Sequence, residues 1–239
     1  MSESTIIQND KKHVWHHLTQ HKAFESSDPL VVSKGKGMYV TDIKGDEYLD
    51  ATSGGVWTVN LGYGRDEMVD TISNQLSKIP YFAGSIGNEP AAQYAKELTS
   101  IMPGLDRVYY SNSGSEANEK GYKMVRQIAH FHNEGKKHKI IYRDRDYHGT
   151  TIGAMSSSGQ IQRTKQYGPF APGFVEMPNC CCYRCPFGKK YGECNIECAH
   201  ALEDIIQKED QKEYLAQVDY VLPIGENAQF EAGYRGNFE

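Results

Sequence analysis

The segment from Tyr109 to Glu119 constrains the fold more than any other stretch of this 239-residue chain. The residues just before it, from Arg107 to Tyr110, have the apolar and aromatic content of a short buried strand. Ser113 and Glu116 have the spacing of a capping box, in which each side chain bonds the other's backbone amide at the start of a helix. Small or apolar residues then recur with a helical period, at Ala117, Gly121, Met124, Val125 and Ile128. The segment predicts a strand, a tight turn and a helix in succession.

A helix that begins at this turn would offer a site for an anion. Its first backbone amides lack partners within the helix and lie at the positive end of the helix dipole. Gly114 has no Cβ to keep a ligand at a distance, and Ser113 and Ser115 add hydroxyl groups. We therefore predict a phosphate site at residues 113–115. The alternative is an ordinary capped helix, because capping boxes are common.

Strands and helices are predicted to alternate along most of the chain. Amphipathic helices are predicted at residues 66–78, 89–102 and 199–215, and buried strands at 139–142, 174–178 and 218–224. This order is typical of an α/β fold with a mostly parallel sheet and helices on both faces. Ligands bind at the carboxyl ends of strands in such sheets. The turn at Gly114 and the turn at Tyr147, His148 and Gly149 both follow predicted strands.

The residues that precede the first of these helices have a different hydropathy pattern. Residues 30–50 alternate in hydropathy and predict two or three short strands, with Lys44-Gly45-Asp46 as a hairpin turn. A glycine-rich loop at 51–64 allows close approach of backbone to a ligand. It contains Trp57, which is either a core anchor or a residue that lines a ligand pocket.

A short helix is predicted near the N-terminus from the spacing of Val14, Trp15 and Leu18. Such a helix would align three histidines on one face, at positions 13, 17 and 21. No carboxylate or cysteine nearby completes a metal site, so a solvated face is favoured.

Composition excludes several classes of protein. The formal net charge of −5, with 38% hydrophobic and 24% charged residues, is ordinary for a soluble globular protein and gives no basic surface for nucleic acid. No apolar run is long enough to span a membrane, and the N-terminus lacks the apolar core of a secretory signal. The protein is therefore expected in the cytoplasm.

All six cysteines fall between Cys180 and Cys198. Cys182 and Cys185 have C-x-x-C spacing, and Cys194 and Cys198 have C-x-x-x-C spacing, so four thiolates would suffice for a structural zinc. A cytoplasmic chain keeps its cysteines reduced, so a disulfide framework is not expected.

Four ordered motifs resemble the class III (ω-amino acid) pyridoxal-phosphate aminotransferases. Ser113 to Glu119 resembles the phosphate cup of that family, Tyr147-His148-Gly149 the segment that stacks on the cofactor ring, Gly37 to Asp50 an N-terminal hairpin, and Ser53 to Trp57 a substrate-side loop. The resemblance implies a type I fold with pyridoxal 5'-phosphate as cofactor. It implies these cofactor-binding residues: Ser113, Gly114, Ser115, Tyr147, His148, Gly149 and Glu226. Trp57 would contact the substrate. Residues 1–65 would form the N-terminal segment, with strands of the small domain and the substrate-side loop. Residues 66–239 would form a partial large domain that binds the cofactor. At Glu226 the sequence departs from the family, because Asn227 follows where a proline is expected.

The resemblance also implies a reaction. The Cys-Tyr-Arg-Cys-Pro segment and residues 12–21 are most similar to members that move the amino group of taurine to pyruvate, which gives sulfoacetaldehyde and alanine. Other ω-amine donors stay open. A homodimer or homotetramer is implied, with no nucleic-acid or membrane partner. Thiols without metal are favoured for the six cysteines, because the family that this sequence resembles uses no metal in its chemistry.

The chemistry needs a lysine that forms a Schiff base with the cofactor and an acid at the pyridine nitrogen. In the family that lysine and the aspartate of the pyridine nitrogen follow the strand predicted at 218–224, so these residues are expected to be the N-terminal half of a longer enzyme and no catalytic residue is assigned. Two alternatives are a catalytically inactive cofactor-binding or interaction protein, and a zinc-binding structural module at Cys182–Cys198.

Overall fold

The computed structural model describes residues 2–209 and 216–217. The chain forms two compact units that divide after residue 97. The predicted division into segments 1–65 and 66–239 concerns the domains of a complete enzyme and stays a prediction. Among the described helices, none combines the length and the hydropathy that a membrane span requires.

The first unit contains an antiparallel hairpin sheet. It has the order β1 (Val32–Lys36), β2 (Tyr39–Asp42), β3 (Glu47–Leu49). The turn between β2 and β3 forms because Asp42 Oδ1 accepts hydrogen bonds from the amides of Lys44 and Asp46, each at 2.9 Å. Gly45 supplies the positive φ of +95° that the turn requires. The predicted strands and hairpin turn are confirmed.

The N-terminal helix lies further upstream than the sequence predicted. Helix α1 spans Glu3–His13, and Val14 after it is already extended, with φ −103° and ψ 127°. Ser2 caps the helix by accepting a hydrogen bond from Thr5, and basic residues in the last turn complement the helix dipole. These local signals set the helix limits, so the helix predicted around Val14, Trp15 and Leu18 is wrong. Leu18 has a φ of +53°, and the histidines at 13, 17 and 21 share no helix face. A short 3₁₀ turn follows at His21–Glu25.

The remaining elements of this region agree closely with prediction. A π-type turn covers Ser53–Trp57, α2 covers Asp66–Lys78 and α3 covers Glu89–Ser100. Both ends of α2 fall where the acidic first turn and the amphipathic period placed them. Helix α3 begins as predicted and ends two residues early.

The second unit is built on a parallel sheet. Its elements are α4 (Gly114–Asn133), β4 (Ile140–Arg143), α5 (Ile152–Ser156), α6 (Ile161–Thr164), β5 (Phe174–Met177), a 3₁₀ turn (Cys182–Arg184), α7 (Glu197–Lys208) and β6 (Ala216–Gln217). Strand β4 lies in the middle and pairs in parallel with β5 on one side and β6 on the other. The described strands therefore confirm the predicted parallel sheet. The strand predicted at 218–224 lies outside the described residues.

Helix α4 packs on this sheet with a face that differs from the predicted stripe. Tyr122 and Ala129 are its buried residues, and the Tyr122 ring meets the Phe174 ring of β5 edge-on at 5.1 Å. Met124 and Ile128 of the predicted stripe are nearly half exposed. The sequence period was correct, but the aromatic ring of Tyr122 fixes which side of the helix faces the sheet.

The segment before α4 is not a strand. Residues 107–110 have no regular secondary structure, and Tyr109 and Tyr110 are exposed. A strand exists only when a neighbour pairs with it, and no described strand lies beside this segment. The prediction of a buried strand at Arg107–Tyr110 is therefore wrong for the described residues.

Candidate functional site

The turn before α4 is held by the predicted cap, with one difference. Ser113 is the N-cap residue, and its Oγ accepts a hydrogen bond of 3.2 Å from the Glu116 amide. Glu116 Oε2 accepts from the amide of Asn112, at 2.9 Å, instead of the amide of Ser113. The box is therefore one residue wider than predicted and fixes the turn from both sides.

Gly114 opens this turn to its surroundings. A Cβ added to Gly114 would meet no atom within 4 Å, so nothing in the chain's own packing requires glycine there. Among the described residues, none accepts a hydrogen bond from the backbone amides of Gly114 and Ser115. Helix dipole, free amides and open space together fit a phosphate group.

A buried hydroxyl in the same turn also lacks a partner. Ser111 Oγ is inaccessible and has no hydrogen bond to any of the residues that the structure describes. Such a group is costly unless a bound molecule or further protein satisfies it. It is consistent with a turn that is completed by a polar ligand or by further chain.

The second predicted segment follows β4. The amide of His148 donates to Ser158 Oγ at 3.1 Å, and its Nδ1 lies 2.7 Å from the carbonyl oxygen of Ser157. A carbonyl only accepts, so Nδ1 is the donor in this bond. The histidine is therefore held at its backbone and at its ring.

Tyr147 precedes it with a half-exposed ring. Its side chain is 48% exposed, and the guanidinium carbon of Arg163 lies 4.9 Å from the ring centroid. One face of the ring is thus occupied by a cation.

The two predicted segments meet in the structure. The amide of Thr150 donates to Ser115 Oγ at 3.1 Å, and Asn118 Nδ2 donates to the carbonyl of His148 at 2.6 Å. The Ser115 hydroxyl accepts this bond, which leaves its hydrogen available for a ligand. Gly149 is buried at the contact with φ +138°.

Sequence reasoning assigned no role to two residues of this contact, although both fall within the motif Ser113 to Glu119. Asn118 and Glu119 lie three and four positions after Ser115 and therefore on the same helix face. That spacing was visible in the sequence, but their partners lie 30 to 35 residues away along the chain.

Two buried hydroxyl groups, of Tyr122 and Ser157, lie next to the residues that bind His148. Tyr122 Oη and Ser157 Oγ share a short hydrogen bond, and Ser157 Oγ also donates to the carbonyl of Ala154 at 3.0 Å. Burial raises the pKa of the Tyr122 phenol, so the phenol stays protonated near neutral pH. On the neighbouring strands, burial raises the pKa of Tyr142 and of Glu176, the latter with help from the charge of Asp144.

Trp57 belongs to the first unit. It is 73% exposed with φ +60°, at the end of the π-type turn. Asp50 organises this loop, since its Oδ2 accepts bonds from the Gly54 amide at 2.6 Å and from Tyr63 Oη at 2.7 Å. These bonds stabilise the charged carboxylate and hold the pKa of Asp50 far below its ordinary value. The bond from the Gly54 amide has the largest effect.

The six cysteines surround one small cavity of about 30 Å³. All six are free thiols. Within residues 2–209 and 216–217, no three histidine, cysteine or acidic side chains are arranged to hold a metal ion. Glu226, the last predicted cofactor residue, lies outside the described residues, and the roles of the predicted site residues stay predictions.

Comparison with known proteins gives a consistent result. The family described as Aminotransferase class-III matches residues 22–218. A taurine–pyruvate aminotransferase of Rhodobacter capsulatus is 58% identical over 85% of this chain and 44% of its own length. A hypotaurine/taurine–pyruvate aminotransferase of Paracoccus denitrificans is 56% identical over 86% of this chain and 44% of its own length. Among solved structures, a Bacillus anthracis aminotransferase matches with a TM-score of 0.81 and 34% identity, over 92% of this chain and 49% of that one. The chain thus spans somewhat less than half the length of the relatives it matches.

Proposed function

Because this chain belongs to the class III aminotransferases, a family that depends on pyridoxal phosphate, we propose that residues 113–115 and 147–149 form part of a cofactor site in an enzyme that moves the amino group of taurine to pyruvate. The family resemblance and the fold inferred from the sequence are confirmed by these comparisons. Taurine and pyruvate are proposed because two relatives above 55% identity carry both names.

The observation that carries the proposal is the contact between the two segments. Ser115 Oγ binds the amide of Thr150 at 3.1 Å, so the turn that fits a phosphate and the segment that ends in Gly149 lie side by side. The cofactor's phosphate and its ring need two such neighbouring supports.

Each residue has a role that its geometry supports. The free amides of Gly114 and Ser115 and the Ser115 hydroxyl would hold the phosphate. Tyr147 would present its ring to the pyridine ring, where aromatic stacking adds about 0.5–1.5 kcal/mol beyond area burial. His148 would keep a fixed ring orientation beside the cofactor because its Nδ1 donates to the Ser157 carbonyl. When bound, pyridoxal phosphate supplies an electron sink for the carbanion formed as an amine loses its α-proton.

Further parts of the site are proposed beyond these residues. Trp57 would line the substrate side of the pocket, and Glu226 would belong to the cofactor site. The lysine that links the cofactor would lie in the part of the relatives that this chain does not cover, as would the acid at the pyridine nitrogen. A cytoplasmic homodimer or homotetramer completes the proposal.

The test is alanine production. We would express residues 1–239 and, separately, the protein through the end of its reading frame, and measure alanine formed from pyruvate with taurine or other ω-amines. The longer protein should form alanine with taurine, and residues 1–239 alone should not. Turnover with another ω-amine but not with taurine would show that taurine is not the amine donor. The absence of turnover with any amine would contradict the proposed activity.

A further inference from the structure

One face of α4 binds the segment 148–154 at three successive places. Ser115, Asn118 and Glu119 occupy positions i, i+3 and i+4 of the helix, which lie on one side. Their partners are, in order, the Thr150 amide, the His148 carbonyl, and the Thr151 hydroxyl with the Ala154 amide. The contacts therefore begin within one residue of Tyr147 and continue into α5.

Glu119 caps the short helix α5 from outside it. Its Oε1 accepts a bond of 2.6 Å from Thr151 Oγ1 and one of 3.3 Å from the Ala154 amide. The carboxylate lies so close to Gly153 that any Cβ there would overlap it. The sequence at 153 thus leaves room for this carboxylate.

Asn118 fixes the other end of the same segment. Its amide nitrogen donates to the His148 carbonyl at 2.6 Å, and the side chain is partly buried. Neither Asn118 nor Glu119 lies at the open space beside Gly114. Their side chains instead bind the segment 148–154.

We propose that Asn118 and Glu119 are positioning residues that set the place of Tyr147 and His148 relative to residues 113–115, the phosphate turn. This inference rests on the proposed cofactor site. Its physical basis is that the turn and both anchors belong to one continuous helix, with a rise of about 1.5 Å per residue. Residues 147–149, the ring segment, would contact the pyridine ring of the cofactor. A rigid helix that begins at the phosphate turn and also binds the ring segment fixes the distance between these two parts of the cofactor site.

The first test uses the cofactor-free protein. Hydrogen exchange would be measured for the amides of residues 148–154 in Glu119→Ala, Glu119→Gln and Asn118→Asp. Aspartate nearly preserves the shape of asparagine but has no hydrogen to donate. Lys123→Ala, an exposed residue one turn further along α4, is the control.

Loss of one hydrogen bond should raise exchange in this segment by roughly tenfold. We expect that change in Glu119→Ala and in Asn118→Asp, but not in Lys123→Ala. Glu119→Gln should exchange nearly as the unmodified protein does, because glutamine keeps an oxygen in the Oε1 position. Unchanged exchange in both Glu119→Ala and Asn118→Asp would overturn the inference.

The second test separates phosphate binding from ring placement in the protein expressed through the end of its reading frame. Affinity for inorganic phosphate should stay within about twofold in the variants, since the Gly114 turn is untouched. The affinity for pyridoxal phosphate should fall by roughly tenfold, the effect of one lost hydrogen bond. The visible circular dichroism of the cofactor that does bind should decrease.

The outcomes distinguish the two proposals. If pyridoxal phosphate binds in a way that Gly114→Val abolishes, yet Glu119→Ala and Asn118→Asp keep the dichroism, the positioning role is wrong and the site stands. If the unmodified protein fails to bind pyridoxal phosphate, the site itself is wrong and the positioning role falls with it. Equal loss of phosphate and pyridoxal phosphate affinity in the variants would indicate general damage to the turn and would also overturn the inference.

Discussion

Gly149 lies against Ser115 so closely that a Cβ on Gly149 would overlap Ser115 Oγ and come within 2.9 Å of Ser115 Cβ. It would also come within 3.0 Å of Ala154 Cβ, and Gly149 has φ +138°. Both the space and the backbone conformation therefore require glycine. The phosphate turn and the ring segment therefore pack so closely that the space between them cannot hold one additional methyl group.

This fit predicts that Gly149→Ala destabilises the protein. The added methyl must displace either Ser115 or α5, and such overpacking costs about 1–3 kcal/mol. The free energy of unfolding would be measured by urea titration. Gly114→Ala is the matched control, because open space surrounds Gly114, and its effect should stay within about 0.5 kcal/mol. Equal stability of the two variants would show that the close contact does not exist.

How far the sequence predicted the fold depends on whether each element is specified locally. Helix α2 was predicted at both ends, because acidic residues in its first turn and its amphipathic period are signals within the element itself. The β2–β3 turn was predicted for the same reason. The segment Arg107–Tyr110 was not, because a strand is defined by its neighbour and no described strand pairs with it.

A second prediction concerns Gly114 and the cofactor. Gly114→Val places a branched side chain where a phosphate must approach, so affinity for pyridoxal phosphate should fall by at least about tenfold, the loss expected from one hydrogen bond. Stability should change little, since a Cβ at Gly114 meets no atom within 4 Å. Affinity would be measured by titration of the protein expressed through the end of its reading frame.

Gly121→Val is the matched control for this substitution. Gly121 lies on the same helix and also has open space around its Cβ position. Binding should survive in Gly121→Val. If Gly114→Val binds as tightly as Gly121→Val, the phosphate site has been placed at the wrong turn.

The candidate site could be predicted only in part. Ser113 to Ser115 are recognisable from the capping box and the glycine, which are local signals. Asn118 and Glu119 are not, because their roles depend on partners 30 to 35 residues away that only the folded chain brings near. In the sequence alone, a polar residue that anchors a distant segment cannot be distinguished from one whose side chain is solvated.

A third prediction concerns the cysteines. We expect six reduced thiols and no stoichiometric zinc, because the family's chemistry uses no metal and the described residues contain no arrangement that would hold one. Metal analysis of protein purified without chelators, together with thiol titration, would check this. About one zinc per chain, lost in Cys182→Ser, would contradict it and favour a structural metal at Cys182–Cys198.

The fourth prediction concerns Asp50 and the loop that carries Trp57. The Asp50 carboxylate accepts bonds from the Gly54 amide, from Tyr63 Oη, and from the amide and hydroxyl of Thr52. These bonds favour the charged form and hold the pKa of Asp50 well below its ordinary value of 3.8. Because the folded pKa is the lower one, the carboxylate stabilises the folded state fully above pH 3.8 and loses that effect as the pH falls below it.

Asp50→Asn should therefore destabilise the protein near neutral pH and matter progressively less in acid. Asparagine keeps one acceptor oxygen but places an amide nitrogen where a donor now bonds. Unfolding would be followed in urea at about pH 7 and again below the ordinary pKa of Asp50, where linkage predicts that the two proteins converge. Asp70→Asn, an exposed residue of α2, corrects for the general effect of acid on the chain. A stability difference between the unmodified protein and the Asp50→Asn variant that stays constant across this range would mean that the charge of Asp50 does not hold the loop, and that the bonds to Gly54 and Tyr63 contribute through shape alone.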